Sequence, residues 1–334
     1  MVLIQEKETQ VLCTETGHIA ELIKRFGHPP AVILLDPSCS LFSIPSVKGF
    51  IGYRLEFKHA VVISEPVCAK EDRAELTFAF HEYCRQKNWN VIYILASKEF
   101  AHWAIQNVSS VLIQSGDELV VDPEVDPTKG RKGEKLRWKI NHARQNHISV
   151  GEYSGNDAHM ENALEDAVKI WKKLRRGPQI FLGTVELFAN RQGSRWFYAK
   201  QGGAIVGVLL LKQIEIRQGW VISFLMALPD APAGTSELLV LHVIEKLRDA
   251  GCHFLSLGAG SGKQLGEVRG LNPVITLIAR RLFKVVNWFF PLQCRRRYFK
   301  KFMPVSQPTY LLFSNPIIGV SALRALMRVL NISV

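Results

Sequence analysis

Acidic residues are missing from the last part of this 334-residue chain: no Asp or Glu follows Glu267. Other absences narrow its class. No apolar run approaches the ~20 residues that a bilayer-crossing helix needs, and Ala204–Leu211 is among the longest. The start, Met1-Val2-Leu3-Ile4-Gln5-Glu6-Lys7, has neither the basic region nor the apolar core of a signal peptide. Cys13, Cys39, Cys68, Cys84, Cys252 and Cys294 are scattered, with no CxxC pair. That spacing argues against a disulfide framework or a zinc finger. His81 and Cys84 share a prospective helix face, but no second ligand pair has matching spacing. They read as a surface histidine and a buried thiol, and no metal is expected. Charged residues make up 22% and hydrophobic residues 47%, which excludes global disorder. Together these features predict a soluble, intracellular chain of two domains or one fused pair.

The charge that is present is unevenly placed. Lys and Arg number 42 against 30 acids, a net charge of +12. Eleven of these cations lie after Glu267: Arg269, Arg280, Arg281, Lys284, Arg295, Arg296, Arg297, Lys300, Lys301, Arg324 and Arg328. A solvated face normally mixes signs, whereas a single-sign stretch faces phosphate on nucleic acid or anionic lipid. Phe283, Trp288, Phe289, Phe290, Tyr298, Phe299 and Phe302 are interleaved with these cations, as at a membrane interface or a single-stranded nucleic-acid end. A C-terminal helix that buries its aromatics and snorkels its cations would give the same pattern. A second basic cluster comprises Lys129, Arg131, Lys132, Lys135, Arg137, Lys139 and Arg144, opposed by Glu134 alone. Leu136 and Ile140, four apart, would seat it as a helix.

Two stretches repeat one order of elements. Strand-like Phe50–Phe57 and Ala60–Ser64, a break at Pro66, helix-like Glu71–Lys87 and apolar Val91–Leu95 form the first. In the second, Arg195–Lys200, Ala204–Gln213 and Trp220–Ala227 form a meander with Gly202-Gly203 and Gln218-Gly219 at its turns. Pro229 and Pro232, helix-like Ser236–Asp249, the stop at Gly251 and apolar His253–Leu257 follow. The repeated order predicts an α+β chain built from two tandem GNAT-like acyltransferase units. A strand that ends in an irregular loop before a helix leaves free N–H groups for a phosphate or an oxyanion. Gly258-Ala259-Gly260-Ser261-Gly262 reads as a flexible active-site loop.

Three segments carry a family resemblance. Gly130-Arg131-Lys132-Gly133-Glu134-Lys135-Leu136-Arg137, with Asn141 and Ala143, is the first. Leu225-Met226, Pro229-Asp230-Ala231-Pro232, Gly234 and Leu255-Ser256-Leu257-Gly258 form the second, and Tyr298-Phe299-Lys300-Lys301-Phe302 with Pro308 and Tyr310-Leu311 the third. In this order and spacing the chain resembles the C-terminal domain of bacterial phosphatidylglycerol lysyltransferases, the tRNA-dependent aminoacyl-lipid synthases. The resemblance implies two GNAT-like units joined by a long basic helix. It also implies an activity that moves an aminoacyl group from aminoacyl-tRNA to a lipid hydroxyl. Where the family has an acid before Leu-Met and an arginine after it, this chain has Phe224 and Ala227. The family's Gly-Asp-Pro-Val-Gly is Ser64-Glu65-Pro66-Val67-Cys68 here, and no flippase-like membrane domain is recognisable. The acceptor or the acyl group is therefore expected to differ.

The expected organisation is a first unit over 1–128, a basic linking helix over 129–148, a second unit over 149–267 and a basic aromatic segment over 268–334. Acyl transfer needs a donor clamp, an oxyanion site and a route for a proton. Lys132, Arg137 and Arg144, with Asn141 beside them, form one expected donor clamp, and Arg297 with Lys301 a second. Ser223, Ser256 and Glu65 are the candidate catalytic groups, with His253 and Glu267 as further proton acceptors. No Ser-His-Asp or Cys-His arrangement can be argued from spacing. The expected reaction is aminoacyl or acyl transfer from a phosphate-bearing donor, aminoacyl-tRNA or acyl-CoA, to a lipid or small-molecule acceptor. An acyl-CoA-dependent N-acyltransferase and a non-catalytic lipid- or RNA-binding protein are the alternatives. No cofactor is expected, and the C-terminal segment is expected to hold the cytoplasmic protein peripherally on the anionic inner face of a membrane.

Overall fold

A computed structural model describes residues 13–174, 187–289 and 293–331, with side chains from 17 onward and not over 285–289. Nine helices among these residues pack on one 12-stranded sheet. The strands are β1 (Ser40–Phe42), β2 (Ile51–Glu56), β3 (His59–Ile63), β4 (Asn90–Ala96), β5 (Val111–Val121), β6 (Ser149–Tyr153), β7 (Ser194–Gln201), β8 (Ala204–Ile214), β9 (Gly219–Ala227), β10 (Leu255–Ser261), β11 (Val268–Arg269) and β12 (Val305–Phe313). Their spatial order is β1-β2-β3-β4-β12-β5-β10-β9-β8-β7-β6, and β11 pairs with β5 beside this path.

The helices are α1 (Cys13–Phe26), α2 (Arg73–Gln86), α3 (Lys98–Asn107), α4 (Glu134–Gln145), α5 (Ala158–Leu174), α6 (Thr235–Asp249), α7 (Pro273–Phe289), α8 (Cys294–Phe299) and α9 (Val320–Val329). Strand alternation assigns them to faces. Val91 and Tyr93 of β4 pack with α2 and α3, while Ile92 and Ile94 pack with α1, the 3-10 turn Pro29–Leu35 and α9. In β8, Leu209 and Leu211 meet α6, and Val208 and Leu210 meet α5.

Each of the two stretches with a repeated order keeps that order. The β2–β3 hairpin is followed by α2 and by β4, which pairs parallel to β3. The β7–β8–β9 meander is followed by α6 and by β10, parallel to β9. No break in the sheet separates them. β5 pairs antiparallel with β10, and β12 lies between β4 and β5. The stretch expected as a separate segment after 267 thus supplies a central strand. Two other expectations change. The long basic helix over 129–148 is a 12-residue helix preceded by a 3-10 turn at Arg131–Gly133. Gly258–Ser261 is not a loop but the second half of β10, paired with Gly116–Leu119.

Aromatics in the C-terminal stretch divide by position. Phe299 and Phe302 enter the α4–α6 core, and Phe283 packs against the α1–α9 core. Phe290 lies outside the described residues, as do the side chains of Trp288 and Phe289. His81, expected at the surface, is half-buried with Nε2 3.0 Å from Tyr93 Oη, and burial pulls its pKa down to about 4.

Because β12 hydrogen-bonds on both edges, the sheet should unfold as one unit. Leu312 is fully buried, and Leu312→Ala should lower stability by roughly 2–5 kcal/mol and shift one common transition. Denaturant melts followed by tryptophan fluorescence and by far-UV circular dichroism check this. Two separated transitions would contradict it.

Candidate active site

The sheet opens where β9 and β10 part. These parallel strands pair only at Leu255 with Trp220 and at Ser256 with Val221. Immediately beyond, each carries a bulge against its other neighbour. In β9, Phe224 faces Leu210 and Ile222 faces Leu211, so Ser223 is the extra residue. In β10, Ser256 faces Val120 and Gly258 faces Leu119, which leaves Leu257 as the extra one. Bulges interrupt the ladder and re-aim side chains and carbonyls. Ser223 is solvent-exposed although β9 lies inside the sheet. The result is a fork at the carboxyl ends of two parallel strands, where open α/β sheets commonly bind ligands.

Arg295 of α8 reaches into this fork. Its Nε donates to Leu257 O at 2.8 Å, and its Nη2 donates to Leu257 O at 2.5 Å and to Ile222 O at 3.4 Å. Gly258 has φ +88°, and a Cβ there would collide with the guanidinium. Desolvation pulls the Arg295 pKa down to about 10, while the residue keeps substantial solvent exposure. The guanidinium is therefore held against the strand ends, open to solvent, and remains charged at neutral pH. Its neighbour Arg296 pairs with Asp117, and Arg297 is exposed.

Beside the fork an ionic knot ties three helical elements. Glu237, in the first turn of α6, is 2% exposed. Its Oε1 accepts from Lys139 Nζ of α4 at 2.8 Å and from Lys301 Nζ at 2.6 Å. Lys301 also lies 3.9 Å from the centre of the Tyr298 ring, and Tyr298 Oη donates to Ser236 Oγ at 2.8 Å. Burial alone would raise the Glu237 pKa, but the two ammonium groups outweigh it and hold it at about 2. Burial of Lys301 pulls its pKa down more than Glu237 pushes it up. Gly234 (φ +97°) fixes the spacing, since a Cβ there would strike the Lys139 carbonyl.

The expected site residues fall into three groups. Ser223 alone of the candidate catalytic residues is exposed. Ser256 is fully buried, its Oγ accepts from Gly258 N–H at 3.1 Å, and it faces the buried Glu118, whose pKa burial pushes up. Glu65 is also buried, 3.1 Å from His28 Nε2 and 3.8 Å from Arg73 Nη2, and it accepts from the Ser97 N–H at 3.0 Å. His253 lies at the surface near Asp122, and Glu267 pairs with Arg269 and His102.

Among the clamp residues, Lys132, Asn141, Arg144 and Arg297 are exposed. Arg137 is engaged by its own preceding loop, donating to Thr128 O and, at 2.8 Å, to Gly130 O. Lys301 is engaged by Glu237. Although far apart in sequence, the 131–133 turn and the 3-10 turn Lys300–Phe302 pack together, with α4 against both. Exposed Arg131, Lys132, Lys135, Arg297 and Lys300 lie on or next to these packed elements. Sequence reasoning missed Arg295, Lys139 and Glu237 as site elements.

The profile of the family described as "Phosphatidylglycerol lysyltransferase, C-terminal" matches residues 21–313. The chain belongs to this family. A phosphatidylglycerol lysyltransferase from Staphylococcus haemolyticus is 19% identical over 276 residues, which cover 82% of this chain and 32% of that protein. The chain thus spans about a third of the length of this curated relative. The C-terminal domain assigned to a lysylphosphatidylglycerol synthetase of Agrobacterium fabrum has the same fold, with TM-score 0.76, 20% identity and coverage of 95% and 96% of the two chains. L-PGS from Bacillus licheniformis gives TM-score 0.75 and 17% identity over 99% of each chain.

Removing Glu237 leaves Lys139 and Lys301 facing each other without a counter-ion. Glu237→Ala should cost about 3–5 kcal/mol, the range for breaking a buried pair. The pH dependence has a defined sign. A folded-state pKa below the ordinary 4.5 stabilises the fold above pH 4.5, and that contribution is lost as pH falls towards about 2. Urea melts from pH 7 to pH 2 should show this decline in the native protein and a shallower one in Glu237→Gln. Equal slopes would remove the knot from the acid response.

Proposed function

We propose that this chain is an aminoacyl or acyl transferase that moves an acyl group from a phosphate-bearing donor to a lipid or small-molecule acceptor. Aminoacyl-tRNA is the favoured donor. The observation that carries this reading is the meeting of two basic stretches, 131–135 and 297–301, beside an open fork in the sheet. Family membership supports the same chemistry. In this reading Lys132, Lys135, Arg297 and Lys300 hold donor phosphates, and the reacting ester lies at the fork. Ser223 orients the acceptor hydroxyl from the β9 bulge. Ser256 and Glu118, both buried, act by shaping the β10 bulge, and Glu65 by anchoring the start of α3. The acceptor oxygen attacks the ester carbon, the bond to the donor oxygen breaks, and the acceptor proton passes to that released oxygen, which leaves as a hydroxyl. This exchange balances without a separate base. The two repeated stretches further support a description as two GNAT-like halves merged into one sheet.

A peripheral position on the inner face of an anionic membrane belongs to the same proposal. Val274, Ile275, Leu277, Ile278 and Leu282 of α7 are exposed, as are Arg280, Arg281 and Lys284. No helix among the described residues is long and apolar enough to cross a membrane. An amphipathic helix with cations instead lies in the interface, where each cation contributes ~1 kcal/mol near anionic lipid.

The direct test incubates the protein with radiolabelled aminoacyl-tRNA pools and total lipid extract. Label should move into the organic phase, and its absence with every pool would refute transfer to lipid. Combined Lys132→Ala, Lys135→Ala and Lys300→Ala should weaken tRNA binding and flatten the log–log salt slope by roughly 0.7–0.9 per lost phosphate contact. An unchanged slope would exclude this surface from donor binding. For the membrane, vesicle co-sedimentation should favour anionic over zwitterionic lipid and weaken in Leu277→Gln with Ile278→Gln. Equal sedimentation with both lipids would count against α7 as the docking element.

A further inference from the structure

Arg295 is a solvent-exposed cation at the fork, and among the described residues no carboxylate pairs with it. Its hydrogen bonds go to two neutral carbonyls, Leu257 O and Ile222 O, and the Phe299 ring lies 5.4 Å from its guanidinium carbon. The neighbouring acids are engaged elsewhere: Asp117 by Arg296, and Glu237 by Lys139 and Lys301. A guanidinium held in place by neutral carbonyls keeps its full charge available to an anion. Here the carbonyls fix the Nε and Nη2 side of the planar guanidinium against the strands. No hydrogen bond to Nη1 is present among the described residues, and the residue remains solvent-exposed through the fork. The Ser223 hydroxyl, adjacent in sequence to the Ile222 carbonyl, is exposed at the same opening.

We propose that the fork between β9 and β10 is an oxyanion subsite, in which Arg295 binds a phosphate or carboxylate group of one substrate. Arginine suits such a role because its planar donors match the geometry of both oxyanions. Fixing the guanidinium beforehand also reduces the entropy lost on binding. Which substrate brings the anion rests on the transferase reading. The group is then either the phosphodiester of a lipid headgroup or an acidic acyl group, and a lysyl group at the same point would be repelled.

The experiment reads anion binding without turnover. The wild-type chain is treated with phenylglyoxal, and the modification of each arginine is followed by mass spectrometry. Inorganic phosphate, glycerol phosphate or glutarate is added in separate arms, with exposed Arg324 and Arg328 as internal references. At least one anion should slow Arg295 modification several-fold while leaving the references unchanged. Protection by glycerol phosphate over glutarate assigns the site to a headgroup, the reverse assigns it to an acidic acyl group, and phosphate alone assigns it to a free phosphate. In a parallel titration followed by NMR, Arg295→Gln should weaken binding of the protecting anion at least tenfold, and Arg295→Lys should weaken it less. Unprotected Arg295 in all three arms, or wild-type affinity in Arg295→Gln, overturns the proposal. If the Gln variant does not fold, the wild-type footprint decides alone. Protection of Arg295 without any transfer from aminoacyl-tRNA would refute the transferase reading and leave the subsite standing.

Discussion

The main-chain ladder of β12 is the interaction on which the rest of the structure depends. From Val305 to Phe313 it pairs with β5 along one edge, and its Tyr310–Phe313 end pairs with β4 along the other. Without it, β4 and β5 would each present a bare edge, and nothing else among the named strands would connect β1–β4 to the remainder of the sheet. The side chains follow the ladder. Tyr310 and Leu312 complete the core under α2 and α3, while Phe313 completes the one under α1 and α9.

The fork and the ionic knot are two solutions to one packing problem. Where β9 and β10 diverge, main-chain carbonyls lose their ladder partners and must find others. Arg295 supplies donors for Leu257 O and Ile222 O, and its helix, α8, is held in place by the buried Phe299 and by the partly buried Tyr298. The following turn carries Lys301 to Glu237. The geometry of the opening therefore depends on a stretch of chain, 294–302, that belongs to neither strand.

Much of this was legible in one dimension, and the exceptions have physical causes. The β7–β8–β9 meander, α6 and the start of β10 follow from alternation, paired turn residues and a glycine stop. They lie within a residue or two of their expected bounds. The position of β12 was not legible, because its partners are more than 180 residues away and pairing carries no local signal. The Gly258–Gly262 run was misread because glycine suggests flexibility. Here it allows a bulge and the close approach of Arg295. Clustering of 131–135 with 297–301 was anticipated only as two separate clamps. The triplet Arg295-Arg296-Arg297 gave no hint of its division. Successive residues on a helix turn by about 100°, so one enters the fork, one meets Asp117 and one faces solvent.

Strand order in space also sets an order in time. The chain is synthesised from its N-terminus, yet the strand that closes the middle of the sheet is the last one made. Until Phe313 has left the ribosome, β4 and β5 are complete but lack the partner that lies between them. Unpaired edges of apolar strands are sites of non-native association. The nascent protein must therefore carry two open, β-prone edges through most of its synthesis, and the burden of keeping them apart falls on the cell rather than on the fold.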